Sequence, residues 1–367
     1  MKILITFLSY GENVFAGMEK SIYNLTMGLV DEGNQVVIYT SNMHKKVNNP
    51  KYKVIYDDNL INHLDPSIGS VDDQIKENYK KNEVLIKKNL IKTIKDEKPD
   101  YILVQDHLWG IIPHINIFDY IDCKIGLLFH MTHNPDLIRE MFNYRFDNYF
   151  CVSKYVKKEI KKMCRPKQKL LLLPNSITEE FVVRKGNNKE VKNFICNARI
   201  SEEKGVANLL KMWKEFISIY PDKKLFLTGG DFCFLVKDEI SQDISEINEK
   251  QPNSVAVLEN LEWNQIANEL KGKDCILVAS KMESFGMAAL EGMALGKYVV
   301  STNAGNLKYL FRGITKTYDS DDWSGYLEEM KRVVEGTSRY SFSKAYRRAN
   351  HYKATSVARR FLKEIKR

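Results

Sequence analysis

No pair of cysteines in this 367-residue chain has C-x-x-C spacing; its six cysteines (123, 151, 164, 196, 233 and 275) are scattered. That excludes a zinc ribbon or a disulfide framework and fits buried thiols in a reduced compartment. No apolar run approaches the length of a membrane span. Lys2 precedes a short strand pattern instead of a long apolar leader region, so no signal peptide is expected. The expectation is a soluble or peripheral protein of the cytoplasm. An acidic excess is also missing: the formal net charge is +9, which permits nucleic acid, an anionic membrane face or phosphorylated small molecules as partners. The chain has no G-x-G-x-x-G, which weakens a dinucleotide reading.

The length suffices for two α/β domains with separate cores. KILITFLS (2–9) reads as a buried parallel strand, followed by a loop ending at Gly17, a helix from about Met18 to Glu32, and the strand QVVIYTS. Gly17 would let the backbone approach a ligand phosphate. Residues 42–75 read as polar and irregular, and a lysine-rich helix is expected from about Gln74 to Lys95. The strand YILVQ ends at Asp106-His107, and KIGLLF ends at His130, with His133 three positions on. Strand ends of this kind collect ligand-facing groups. The two histidines suit a metal pair, yet no third ligand accompanies them.

Residues 154–169 hold eight Lys/Arg against one Glu, a solvated helix face by default and a membrane-surface helix as the functional alternative. No aromatic-interleaved basic strand or nucleic-acid-binding fold accompanies them, so nucleic acid is not expected as a partner. The polar stretch 184–192 is the best linker, and a cleft between two halves is expected near it. Beyond it, Arg199 and Lys204 sit at a strand end and the next helix start, positions suited to clamping a diphosphate. Asp319-Ser320-Asp321 carries the D-x-D spacing of some metal-dependent enzymes, but it precedes Trp323-Ser324-Gly325 and reads as a helix cap, so no metal is inferred.

The densest signal is Ala279–Asn306, ASKMESFGMAALEGMALGKYVVSTNAGN, which reads strand, loop, helix, strand. The loop through Phe285-Gly286-Met287 feeds a helix whose free N–H groups favour an anion. Glu283 and Glu291, eight positions apart and about two turns on, offer carboxylate acceptors for hydroxyl pairs such as those of sugars.

This phrase, together with R-x4-K-G at 199–205, resembles the retaining, nucleotide-sugar-dependent glycosyltransferases of the GT-B fold, family four. Looser similarities are Ala16-Gly17-Met18-Glu19, where the family has G-G-x-E, and Pro174-Asn175-Ser176, where it has P-N-G. The resemblance implies two Rossmann-like α/β domains with parallel sheets facing a cleft. They would be an acceptor-side domain over 1–180 plus a last helix from about 350–367, and a donor-binding domain over 181–349.

It further implies transfer of a hexose or N-acetylhexosamine from a nucleoside diphosphate sugar, UDP-linked by default, to an acceptor hydroxyl with retained anomeric configuration. By that resemblance Arg199 and Lys204 neutralise the departing diphosphate, Glu283 binds the transferred sugar, Glu291 the ribose, and His130 contacts the sugar. Gly17, Phe285, Gly286 and Met287 line the diphosphate through backbone groups, and the base is read near Leu261. His107 and His133 are lesser candidates, and Glu19 has no assigned role. No cofactor beyond the sugar nucleotide is implied. The acceptor would be a carbohydrate or lipid-linked glycan of bacterial surface polysaccharide assembly, with an anionic membrane face as a further partner. The alternatives are a catalytically silent subunit that binds a partner or glycan, and a nucleotide-sugar epimerase or phosphorylase of similar fold.

Overall fold

The computed structural model describes the chain except residues 12–16, 66, 133, 165, 166, 182, 183, 188, 189, 229–236, 259, 260, 262 and 367. Two compact units form. Unit 1 comprises Met1–Ser176 and Ala354–Arg367, and unit 2 comprises Ile177–Lys353.

Unit 1 is built on seven strands: β1 (Lys2–Thr6), β2 (Gln35–Thr40), β3 (Lys53–Tyr56), β4 (Tyr101–Gln105), β5 (Lys124–Phe129), β6 (Asn148–Cys151) and β7 (Leu170–Leu172), in the order β3-β2-β1-β4-β5-β6-β7. Each recorded pair is parallel. Helices cover both faces of such a sheet, so its central strands are apolar throughout; Tyr101–Gln105 is buried at every residue. The first helix, Gly17–Asp31, ends where Gly33 takes a φ of +75°, and the lysine-rich helix runs Val71–Glu97. It starts earlier than the expected Gln74 because Asp72 and Asp73 occupy a first turn where acidic residues are favoured.

Unit 2 repeats the plan with β8 (Asn193–Asn197), β9 (Lys224–Thr228), β10 (Val255–Leu258), β11 (Cys275–Val278) and β12 (Tyr298–Ser301), parallel in the order β10-β9-β8-β11-β12. The polar stretch 184–192 does not connect the units. Chain exchange falls at Ser176–Ile177, and within unit 2 Arg184 N donates to Ala294 O at 2.7 Å while Gly186 packs on Gly296. Polar composition misleads here because backbone groups, which composition does not report, hold the segment. Where one last helix from about 350–367 is expected, two helices form, Phe342–Asn350 and Ala354–Ile365. Only the second belongs to unit 1, where Val357, Ala358, Phe361, Leu362 and Ile365 join the core. Trp323–Val334 is capped by Asp322, whose side chain accepts from Gly325 N at 3.0 Å, so the cap stands one residue beyond the D-x-D spacing.

Helices Gly17–Asp31 and Ala354–Ile365 pack at backbone distance, and a Cβ added at Gly28 would overlap the Ala354 carbonyl. Gly28→Ala should therefore cost about 1–3 kcal/mol by overpacking, despite alanine's better helix propensity. Thermal unfolding reads this as a lower midpoint; a midpoint at or above that of the parent would refute the close packing.

Candidate functional site

In an open parallel sheet, ligand groups collect beyond the carboxyl ends of the strands where the strand order reverses. In unit 2 that point lies between β8 and β11. From β8 come Asn197, Arg199 and the short 3-10 turn Glu202–Lys204; from β11 come Ser280 and Glu283. Gly205, at φ +67°, lets the first loop pass against the Ala279 carbonyl, with which a Cβ would overlap.

Lys204 Nζ donates to Glu283 Oε2 at 2.8 Å, and each side chain is only about one-fifth exposed (20% and 17%). Ser280 Oγ donates to the same oxygen at 3.3 Å. Among the described residues Glu283 Oε1 has no partner, and no carboxylate pairs with the exposed Arg199. Lys204 thus keeps two of its three ammonium donors. The loop that holds Glu283 is fixed through its backbone. Glu283 O accepts from Asn306 N at 2.9 Å, and Asn306 Nδ2 donates to Phe285 O at 2.9 Å.

Gly286, at φ +100°, turns this loop into the helix Met287–Ala294, whose start has no side-chain cap. Its first N–H groups are therefore open to an acceptor from outside the helix. Because the helix begins four residues after Glu283, that residue and Glu291 do not share a helix face. Glu291 is fully buried in the helix, and Asn197 Nδ2 donates to its Oε2 at 3.2 Å. Asn197 Oδ1 in turn accepts from Thr228 Oγ1 at 2.7 Å. Leu261 is half-buried, and its neighbours 259, 260 and 262 lie outside the described residues.

Unit 1 carries its own group of candidates at the ends of β4 and β5. Asp106, buried with φ +41°, accepts from His107 N at 3.1 Å and from His130 N at 3.3 Å. His130 is buried, and its Nε2 lies 2.9 Å from Gln105 Oε1; an amide oxygen can only accept, which puts the His130 proton on Nε2. His107 lies edge-on to His114 at 4.9 Å. Burial pushes the His114 imidazole down to about 4. His133 and the loop residue Ala16 fall outside the described residues. At Gly17 an added Cβ would meet nothing within 4 Å, so this glycine is not needed for packing.

The structure thus brings Arg199, Lys204, Glu283, Phe285, Gly286, Met287 and Glu291 to one end of the unit 2 sheet, while Gly17 and His130 belong to unit 1. Sequence reasoning missed the holders: Asn197, Thr228, Ser280, Asn306 and Gln105. Asn306 stood within the A-G-N phrase and was the one that spacing could have revealed. Among the described residues, no group of three or more His, Cys, Asp or Glu is placed to hold a metal ion. No helix among them is long and apolar enough to cross a membrane.

Residues 15–181 match the family model for Glycosyltransferase Family 4, and residues 178–342 match that for Glycosyl transferases group 1. An uncharacterized glycosyltransferase of Methanocaldococcus jannaschii is 26% identical over 165 residues, 44% of this chain and 41% of its own length. The lipopolysaccharide 1,2-N-acetylglucosaminetransferase of Salmonella typhimurium is 23% identical over 176 residues, 46% of each chain. The chain therefore matches less than half the length of these curated relatives. Over its full length it superposes on a Rickettsia africae glycosyltransferase (TM-score 0.74, 16% identity, 97% of that chain). It likewise superposes on the Anabaena protein HepE (TM-score 0.69, 13% identity, 99% of that chain). These likenesses establish the GT-B fold, two Rossmann-like units with parallel sheets.

Gly305, at φ +52°, lies against the Glu283 carbonyl, which an added Cβ would overlap, whereas Gly313, at φ +76°, faces open space. Both Gly→Ala changes carry the left-handed backbone cost of about 1–2 kcal/mol. Only Gly305→Ala adds a clash, so its loss of stability should exceed that of Gly313→Ala by about 1–3 kcal/mol. Equal midpoints for the two variants in thermal unfolding would show that the Glu283 loop is free to move away.

Proposed function

We propose that this chain is a glycosyltransferase of GT-B fold that moves a hexose or N-acetylhexosamine from a nucleoside diphosphate sugar to an acceptor hydroxyl, retaining anomeric configuration, a reading supported by the family models and the fold likenesses. The observation that carries this reading is the Lys204–Glu283 pair at the sheet end, beside an uncapped helix start. A sugar nucleotide combines a polyanionic diphosphate with a polyhydroxylic ring. Cationic and N–H donors next to a carboxylate acceptor complement both parts.

In this mechanism Arg199 and the free donors of Lys204 meet the negative charge that grows on the departing diphosphate, assisted by N–H groups of Phe285-Gly286-Met287 and of Gly17. Stabilisation at the place where charge develops lowers the barrier. Two cations, Lys204 and Arg199, take the role that a metal ion serves in other transferases, so the reaction is proposed to be metal-independent. Glu283 Oε1 accepts from hydroxyls of the transferred sugar, Glu291 from the ribose, and the base is held near Leu261. His130 contacts the sugar from unit 1.

UDP as the nucleotide is supported by HepE, which is described in complex with UDP and glucose. The Salmonella relative, a lipopolysaccharide N-acetylglucosaminetransferase, supports a carbohydrate or lipid-linked glycan acceptor in surface polysaccharide assembly. A cytoplasmic site at an anionic membrane face is part of the proposal. On the helix Lys154–Cys164, lysines 154, 157, 158, 161 and 162, together with Leu172, line an open depression of about 500 Å³. Burial and the neighbouring Lys161 hold the Lys157 pKa below the usual lysine value. An anionic lipid headgroup would relieve that crowding.

Thermal unfolding with UDP-, GDP- and dTDP-sugars, with and without EDTA, tests the donor site. A ligand of the folded state alone raises the midpoint by mass action, by about 2.7 kcal/mol at one hundred times its Kd. The shift should arise with UDP-sugars, survive EDTA, and vanish in Lys204→Ala and Glu291→Ala. No shift with any donor would leave a silent subunit as the better reading.

For the membrane face, the protein should sediment with phosphatidylglycerol vesicles at low salt, and Lys157→Glu/Lys161→Glu should abolish this. Failure of the parent protein to sediment removes the membrane from the proposal.

A further inference from the structure

A second chain of polar side chains stands at the other flank of the unit 1 sheet, beyond the ends of β1 and β2. Ser9 follows β1, His44 follows β2, and Glu19 lies in the first turn of the helix Gly17–Asp31. Ser9 and Glu19 are more than nine-tenths buried, at 4% and 5% exposure, whereas His44 is half-buried and reaches solvent. Ser9 Oγ donates to Glu19 Oε1 at 2.9 Å, and His44 Nε2 lies 2.8 Å from the same Ser9 oxygen.

Proton bookkeeping settles the direction of the second bond. A hydroxyl has one hydrogen, and a carboxylate can only accept. The Ser9 proton therefore points to Glu19, and the Ser9 oxygen accepts from His44 Nε2–H. The proton of the neutral ring is thereby placed on Nε2, leaving Nδ1 as a bare acceptor. Burial lowers the His44 pKa, which favours this neutral form. Among the described residues no other hydrogen bond of the His44 ring is recorded. A buried carboxylate and a buried hydroxyl thus orient one half-exposed ring beyond the carboxyl ends of β1 and β2.

We propose that Ser9–Glu19–His44 is an acceptor subsite, in which His44 Nδ1 receives the hydrogen bond of a carbohydrate hydroxyl while Ser9 and Glu19 position the ring. This rests on the transferase reading above. His44 is an acceptor-binding residue here and takes no part in departure of the diphosphate.

Two measurements test it. In protein labelled with ¹⁵N-histidine, with the His44 signals assigned by their loss in His44→Gln, the ring should be the neutral Nε2–H form at pH 7, and Ser9→Ala should redistribute the tautomers. An imidazolium or an Nδ1–H ring at pH 7 overturns the proposal whatever the acceptor is.

In the second, methyl glycosides of glucose, galactose, mannose and N-acetylglucosamine, with their monodeoxy analogues, are offered as acceptors alongside the donor identified by thermal unfolding. His44→Leu should raise the acceptor KM about tenfold, the size of one neutral hydrogen bond. His44→Gln, which keeps a donor and an acceptor, should fall between. The donor KM and the slow hydrolysis of donor by water should not change. One deoxy glycoside should be about tenfold poorer for the parent protein and equal to its parent sugar for His44→Leu. An unchanged acceptor KM in folded His44→Leu overturns the subsite. Donor binding without transfer to any glycoside overturns the carbohydrate class of acceptor, while absence of donor binding overturns the transferase reading and leaves the tautomer result standing.

Discussion

Parallel pairing is the constraint on which the rest of this molecule depends. All recorded strand pairs in both sheets run the same way, so each sheet has a single edge at which every strand delivers its next loop. Strands buried on both faces leave no place for charge within the sheet. Polar chemistry is thereby pushed to the loops, and order reversal between β8 and β11 decides which loops meet. That is how Lys204 and Glu283, 79 positions apart, become a 2.8 Å pair.

Holding such a pair takes more than topology, because loops ordinarily move. Here the loops are locked through backbone atoms. The first passes the Ala279 carbonyl at Gly205, the second passes Gly305 at the Glu283 carbonyl, and Asn306 bonds the second loop at two points. Backbone contacts position a side chain without adding charge near it. Arg199 is then left without a carboxylate partner among the described residues, and Lys204, paired with Glu283 alone, keeps two ammonium donors for an anion. The same logic explains why Glu291, fully buried, is held by the neutral Asn197. A buried carboxyl group has to be hydrogen-bonded, and the Asn197 amide supplies such a bond.

Legibility followed range. Strand runs such as YILVQ and the loop-to-helix phrase ESFGM were readable because burial and backbone geometry act locally and leave local residue choices. Lys204 and Glu283 were readable as candidates, but not as partners: nothing in the spacing of either states that the other is its neighbour. Asn197, Thr228 and Gln105 were opaque for the same reason, since each looks like an ordinary polar residue at a strand end until the facing side chain is known. The segment 184–192 went wrong in the opposite direction. Its side chains are those of a linker, while its backbone is bonded into unit 2 at Arg184.

Two of the histidines of unit 1, His44 and His130, show what this scaffold does with neutral partners. His130 faces the amide oxygen of Gln105, and His44 faces the hydroxyl of Ser9; each bond fixes which nitrogen carries the proton. A carboxylate set directly against either ring would favour the imidazolium, which has two donors and no acceptor. The scaffold instead keeps Glu19 one atom group further away, behind Ser9, and uses Asp106 on the backbone N–H of His130. Glu19 thus orders the His44 ring through Ser9. A site for sugars needs hydrogen-bond acceptors as well as donors, and cations already abound in this chain of net charge +9. For His44, holding the carboxylate behind Ser9 while burial disfavours the charged ring leaves the acceptor nitrogen that the proposed subsite requires.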